Sequence, residues 1–229
     1  MLSCMKEDIV NTKVVYICSF FNENPIRKSY FEKNISLYTK LGYHIVVCWM
    51  NKKEDQINQP NITYIDSEVV NASIARNILL QMFYNSEHTE ALFSDDDTII
   101  LNKAILEKPI GSFDILSYII NLNNKLLDKP IFLSGIFKIK NLRLFNKKII
   151  LFDETLESNQ DVDFGYNANH NAIRIKNVFT KDILNDQQNS VMFSSKEDRQ
   201  IKKEESIKII IKKWNNYGKH ISPISYSKH

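Results

Sequence analysis

Glycine, proline and cysteine are scarce: 5, 5 and 3 of them in 229 residues. So little Gly and Pro excludes collagen-like repeats and leaves little room for flexible linkers, so most of the chain is expected to fold. Cys4, Cys18 and Cys48 are widely spaced, form neither a zinc pattern nor a disulfide framework, and suit a reducing compartment. No stretch approaches the ~20 apolar residues of a membrane span. Met1 to Asp8 carries charges and no apolar region of signal-peptide length, so cytoplasmic residence is the expectation. The sequons at Asn34, Asn61 and Asn71 are accordingly read as chance matches.

A large charge of one sign is missing too. The net charge is +3, which gives no reason to expect nucleic-acid binding. The surplus lies late, in Lys202, Lys203, Lys208, Lys212, Lys213 and Lys219. Two readings stay open: a solvated helix face balanced in part by Glu204 and Glu205, or peripheral contact with an anionic membrane. With 43% hydrophobic and 25% charged residues, the composition is that of a soluble globular protein, and the length suits one α/β domain with a helical tail.

The apolar, β-rich run Val14 to Phe20 has the pattern of a strand buried on both faces. Asn24-Pro25 opens a helix to about Leu41, with Tyr30, Ile35, Tyr38 and Leu41 facing inward and Gly42 as its stop. His44 to Met50 completes a β-α-β unit, and Ile62 to Ile65 is a short third strand ending at Asp66. A helix over 72–85 offers Ile74, Ile78, Leu79, Met82 and Phe83 as its stripe. Downstream, 114–120 and 131–139 read as strands around a polar turn at 121–130, and 142–151 is ambiguous between helix and strand. A helix over 162–172, a short strand at 173–175, a polar and mobile stretch at 182–196 and an amphipathic helix over 206–216 complete the reading.

One feature carries chemistry. Ala91-Leu92-Phe93 is a buried-strand pattern that ends on Asp95, Asp96 and Asp97. Carboxylates crowded at a strand end repel one another and lose hydration, so a cation is the natural compensation. In open α/β sheets this is also where ligands bind. A solvated turn or a helix cap would explain the aspartates without a metal. A second acidic cluster comprises Asp153, Glu154, Asp161 and Asp163.

Taken in order, Ala75-Arg76-Asn77, Asp95-Asp96-Asp97 and Asn159-Gln160-Asp161-Val162-Asp163 resemble the ARN, DxD and ED-x-D-type segments of GT-A glycosyltransferases, especially inverting family 2-like enzymes, over roughly residues 14 to 180. The resemblance implies an α/β, Rossmann-like nucleotide-diphospho-sugar transferase fold with a mixed central sheet flanked by helices. It further implies a nucleotide-sugar half at about 10–100, an acceptor half at about 101–180 and a helical tail at about 181–229. The implied activity is Mn²⁺- or Mg²⁺-dependent transfer of a sugar from a nucleotide-diphosphate sugar to a glycan hydroxyl.

By the same resemblance Asp97 and Asp95 hold the metal, Asp95 facing the ribose or a metal-bound water, and Asp96 joins the donor site or serves the scaffold. Phe20, Asn22, Asp66 and Arg76 bind the donor, and Asn77 secures the backbone. Asp161 is the general base, with Asp163 and Glu154 as alternates. Ser134-Gly135 matches the acceptor-side loop, and Trp214 matches a KWG-like segment or is a packing anchor. His170 and His220 are minor candidates for a metal shell. The chain departs from the pattern at Gln160, where a glutamate is expected, and after its first strand, where the common proline-containing motif is missing. Inversion is the stereochemistry the resemblance implies, and three alternatives remain: a retaining glycosyltransferase, a sugar-phosphate nucleotidyltransferase, which usually shows a Gly-rich phosphate loop where this chain has Phe21-Asn22-Glu23-Asn24, and a non-catalytic carbohydrate-binding relative of the fold.

Overall fold

The two apolar runs form β1 (Val14–Ser19) and β2 (His44–Trp49), which pair in parallel with Cys18 beside Cys48. The computed structural model describes residues 13–120, 133, 135–185 and 195–216; the expected turn at 121–130, Ser134 and His220 lie outside them. β3 (Ile62–Asp66) pairs with β2, and β4 (Glu90–Asp95) pairs with the other side of β1, all in parallel. Downstream come β6 (Ile115–Ile120), β7 (Ile136–Lys140) and β8 (Ile175–Thr180). β7 runs antiparallel to both β4 and β6, and the sheet order is β3-β2-β1-β4-β7-β6-β8. β2 and β4 flank β1 on opposite sides, which opens a crevice at the carboxyl ends of β1 and β4.

Residues of β1 and β2 alternate between two apolar layers. Tyr16, Cys18 and Val46 face α2 (Ala72–Asn85), whereas Val15, Ile17, Ile45 and Val47 face α1 (Pro25–Lys40). Tyr16, Phe93 and Phe137 stack across three strands at centroid distances of 5.0 and 5.1 Å. Both helices begin on asparagine caps: the Asn24 side chain accepts from the amides of Ile26 and Arg27, and Asn71 accepts from those of Ser73 and Ile74.

The helix faces differ from the sequence expectation. On α1, Phe31 rather than Tyr30 packs inward, and the buried face also carries Arg27 and Asn34. These polar residues are buried because each has a polar partner on the aspartate loop, and they broke the apolar periodicity. On α2, Met82 is exposed and Ile74 and Ile78 are half-buried, while Ala75, Leu79, Leu80 and Phe83 face the sheet. The rotation brings Asn77 inward, where its Nδ2 donates to the Phe152 carbonyl and Glu154 Oε1 and its Oδ1 accepts from the Phe152 amide.

Residues 142–151 are neither helix nor strand but a turn followed by irregular chain. α3 (Gln160–His170) starts earlier than expected, after Asn159 at φ 53°. The expected strand at 173–175 is displaced into β8. The stretch expected to be polar and mobile begins with β9 (Ile183–Asn185), which pairs with β5 (Thr98–Ile100). α4 (Lys196–Asn215) extends ten residues N-terminal of its expected start, because Ser195 caps a first half with no apolar stripe. Among the described residues, no helix is long and apolar enough to cross a membrane.

Candidate active site at the β1/β4 crevice

Asp95 closes β4 opposite Cys18 of β1, so the three aspartates stand at the mouth of the crevice. Asp95 ends the strand and Asp96 and Asp97 form the turn after it, so their side chains take different partners. Asp95 Oδ2 accepts from Arg76 Nη2 at 2.6 Å. Asp96 turns inward: one oxygen accepts from the Phe20 amide at 2.7 Å and from Ser19 Oγ at 3.3 Å, and the other meets Arg27 Nη2. With 1% of its surface exposed and both oxygens engaged, Asp96 ties the end of β1 to β4 and does not face a donor. That corrects its place among the donor-binding candidates and leaves its scaffold reading standing.

Asp97 follows in the turn to β5, and its Oδ2 lies 3.5 Å from the same Arg27 Nη2. Burial pushes its carboxyl up to about 7, with Asp96 and Asp95 adding to the rise and Arg27 opposing it. Arg76 opposes the rise as well. Gly135 packs against this cluster: a Cβ there would lie 2.5 Å from Asp95 Oδ2, and the Gly135 carbonyl accepts from the Asp95 amide at 2.9 Å. A side chain at 135 would displace the carboxylate, so the glycine serves close approach.

Arg76 comes from the second turn of α2 and lies over the Phe152 ring at 5.3 Å. Burial works against its charge, yet Asp95 outweighs burial with help from Asp161, so the guanidinium stays firmly protonated. Asp161 sits in the first turn of α3. Burial raises its carboxyl to about 6; Arg76 and the amides of Val162 and Asp161 pull the other way, and Asp95 adds to the rise. Asp95, Asp97 and Asp161 are thus brought within electrostatic reach of one shared arginine.

The other candidates separate. Asp163 is fully buried and accepts from Trp214 Nε1 at 2.7 Å and Lys213 Nζ at 2.8 Å, which removes it as an alternate base. Trp214 is the packing anchor of α4, set against Leu156, Ile210 and Tyr166. Glu154 accepts from Asn77 at 2.8 Å. Asn77 thus anchors a distant loop rather than its own neighbourhood. His170 is exposed and tilts against Trp214. Phe20 packs on the core beside the crevice, and the exposed Asn22 follows at φ 43°. Asp66, at the end of β3, bonds Gln56 at 3.1 Å and Lys53 at 3.0 Å on the rim and touches none of the aspartates.

Sequence reasoning missed Arg27 and Gly135 as parts of the site. An arginine three residues after a helix cap carries no general signal, whereas Gly135 was noted for an acceptor role rather than for its approach to Asp95. Among the described residues, no three His, Cys, Asp or Glu side chains form a complete metal-binding set. Two carboxylates at the mouth of a site still suit Mg²⁺ or Mn²⁺, whose shell is usually completed by phosphate oxygens and water. Asp95 and Asp97, crowded with Asp96 at the crevice mouth, offer such a pair.

No family model matches the chain, and no curated protein matches it in sequence. Solved structures do match its fold. Glucosyl-3-phosphoglycerate synthase from Mycobacterium tuberculosis, in a complex with Mn²⁺, UDP and glucosyl-3-phosphoglycerate, superposes with TM-score 0.57 at 9% identity, over 88% of this chain and 79% of that one. A nucleotide-diphospho-sugar transferase from Desulfovibrio desulfuricans, so described provisionally, gives 0.53 at 6% identity over 73% and 79%. The catalytic domain of Drosophila β1,4-galactosyltransferase 7, in a complex with xylobiose, gives 0.50 at 14% identity over 72% of this chain. This chain spans 64% of that fly chain. The fold is that of GT-A-type nucleotide-diphospho-sugar transferases.

Proposed function

We propose that this protein is a metal-dependent glycosyltransferase that moves a sugar from a nucleotide-diphosphate donor to a hydroxyl of a glycan acceptor, with inversion. The observation that carries the reading is the ion pair of Asp95 with Arg76 at 2.6 Å at the mouth of the β1/β4 crevice, with Asp97 two residues on and Asp161 in the electrostatic field of the same arginine. Asp97 and Asp95 would hold Mn²⁺ or Mg²⁺. Such an ion, when bound, stabilises the negative charge that grows on a departing diphosphate.

The chain's own groups take the remaining roles. Arg76, pinned by Asp95 and Phe152, presents a fixed positive charge to the donor. Phe20 and Asn22 at the end of β1, and Asp66 at the end of β3, border the place for base and ribose. Asp161, with its carboxyl near 6, is mostly ionised at neutral pH and still basic enough to take the acceptor's hydroxyl proton. Residues from about 10 to 100 then bind the donor and those from 101 to 180 the acceptor. The nucleotidyltransferase reading loses ground because the loop after β1 holds Asn22 and Glu23 at positive φ and no glycines.

The test is release of nucleoside diphosphate from a panel of nucleotide sugars with Mn²⁺ or Mg²⁺ and glycan acceptors. Wild-type protein should turn over at least one donor, and Asp97→Asn should abolish turnover. Retention of the anomeric configuration in the product would remove the base role of Asp161 while leaving donor and metal binding intact.

A further inference from the structure

At the end of the sheet opposite the crevice, the turn after β7 exposes apolar side chains among cations. Leu142 and Ile150 are buried at 0% and 2%, but between them Leu144, Phe145 and Ile149 are 49%, 49% and 42% exposed. The exposure is built in. Asn141 donates through Nδ2 to the carbonyls of Phe83, Ser86 and His88, and its amide donates to Thr89; the Lys147 amide returns to the Leu142 carbonyl at 2.9 Å. A turn braced in this way holds its apolar tip in water.

The surrounding charge is basic. Lys140 ends β7, Arg143, Lys147 and Lys148 follow it through the turn, and Arg174 and Lys176 flank Ile175, the first residue of β8, which pairs with Ile115 at the same end of the sheet. Among the described residues, three carboxylates near these six cations are Glu87, Glu90 and Asp114, and Asp114 is already held by Lys147 at 2.7 Å and by Arg174 at 3.8 Å. Lys140 lies over the Phe145 ring at 5.7 Å, so charge and apolar surface form one patch. Exposed aliphatic and aromatic tips within a basic field match an anionic bilayer, which offers acyl chains beneath phosphate. A nucleic acid would offer charge without an apolar layer to receive Leu144 and Ile149.

We propose that the 143–149 turn, with the basic edge around it, is a docking surface for an anionic lipid bilayer. It replaces α4 as the membrane-facing element. Lys202 and Lys213 of α4 are paired with Glu157, Asp153 and Asp163, and its exposed face also carries Glu197, Glu204 and Glu205. Register places Lys140 beside Glu90 and Ile136 beside Ser94, so the turn continues from the end of β4 farthest from Asp95. A docked protein would therefore keep its crevice turned toward water.

Co-sedimentation of the full chain with phosphatidylcholine vesicles, with and without phosphatidylserine, tests this. Wild-type protein should bind the anionic vesicles and be released by raised salt. Leu144→Ser with Phe145→Ser should weaken binding on the order of tenfold. Arg143→Glu with Lys148→Glu should do the same, with thermal midpoints near wild type. Equal binding to neutral vesicles, undiminished binding by either double variant, or loss produced instead by Lys208→Glu with Ile209→Ser in α4 would each overturn the proposal. So would binding to heparin with none to vesicles, or light scattering that shows a wild-type dimer lost in the Leu144/Phe145 variant.

Discussion

Replacing Asp161 with asparagine should make the protein more stable at pH 8 while removing transfer. Its carboxyl stands at about 6 against an ordinary 3.8, because burial and Asp95 outweigh Arg76 and the local amides. A difference of about two units corresponds to at most about 3 kcal/mol of cost for this half-buried charge. The charge also sits in the first turn of α3, where the helix dipole favours it by about 0.3–1 kcal/mol, which the variant gives up. Burial wins, and a net gain of at most about 2 kcal/mol remains, or roughly 4–8 °C in the unfolding midpoint of a chain this size. The sign follows from linkage. A raised folded-state pKa means that the stabilising contribution is complete below about pH 4 and lost as pH rises through 6. Wild type and variant should therefore melt together near pH 4 and separate by pH 8. Differential scanning fluorimetry in chelator across that range reads the effect directly. If Asp161 were merely a solvated acid at a helix start, the variant would be the less stable protein at pH 8, and that result would refute the buried, base-like environment described for it.

Gly135→Ala should cost most of the activity while leaving the chain folded, because the new methyl competes with Asp95 Oδ2 for one position; circular dichroism alongside donor turnover separates the two effects. Arg27→Met should destabilise the protein by about 3–5 kcal/mol in urea unfolding, since it leaves Asp96 buried without its counter-charge; an unchanged midpoint would show that the pair is not buried as described. Trp214→Ala should cost about 3–5 kcal/mol by the same assay and make α4 susceptible to proteolysis, because the ring and Asp163 join α4 to α3.

The parallel half of the sheet was legible because β1, β2 and β4 are short apolar runs bounded by polar segments, and local pattern suffices for strands buried on both faces. The aspartates were legible for the opposite reason, since charge at the end of such a run conflicts with burial. Pairing was harder to read. β7 lies between β4 and β6 through contacts distant in sequence, and residues 142–151 carry apolar side chains that the fold leaves in water. Roles within the acidic clusters were the least accessible. Nothing in Asp95-Asp96-Asp97 says that the middle residue seals a strand end through Ser19, Phe20 and Arg27, and nothing in Asp161-Val162-Asp163 says that the second aspartate is consumed by Lys213 and Trp214. Those assignments depend on which distant helix supplies the partner.

In the proposed function Asp97 and Asp161 serve one crevice in separate capacities. Equilibrium binding of nucleotide sugars, measured calorimetrically with Mn²⁺ and again in chelator, tests it most directly when wild type, Asp97→Asn and Asp161→Asn are compared. Wild type should bind at least one donor in a cation-dependent way, Asp97→Asn should lose that binding, and Asp161→Asn should keep it while no longer transferring. Undiminished donor binding by Asp97→Asn, or no donor bound by wild type with either Mn²⁺ or Mg²⁺, would contradict it.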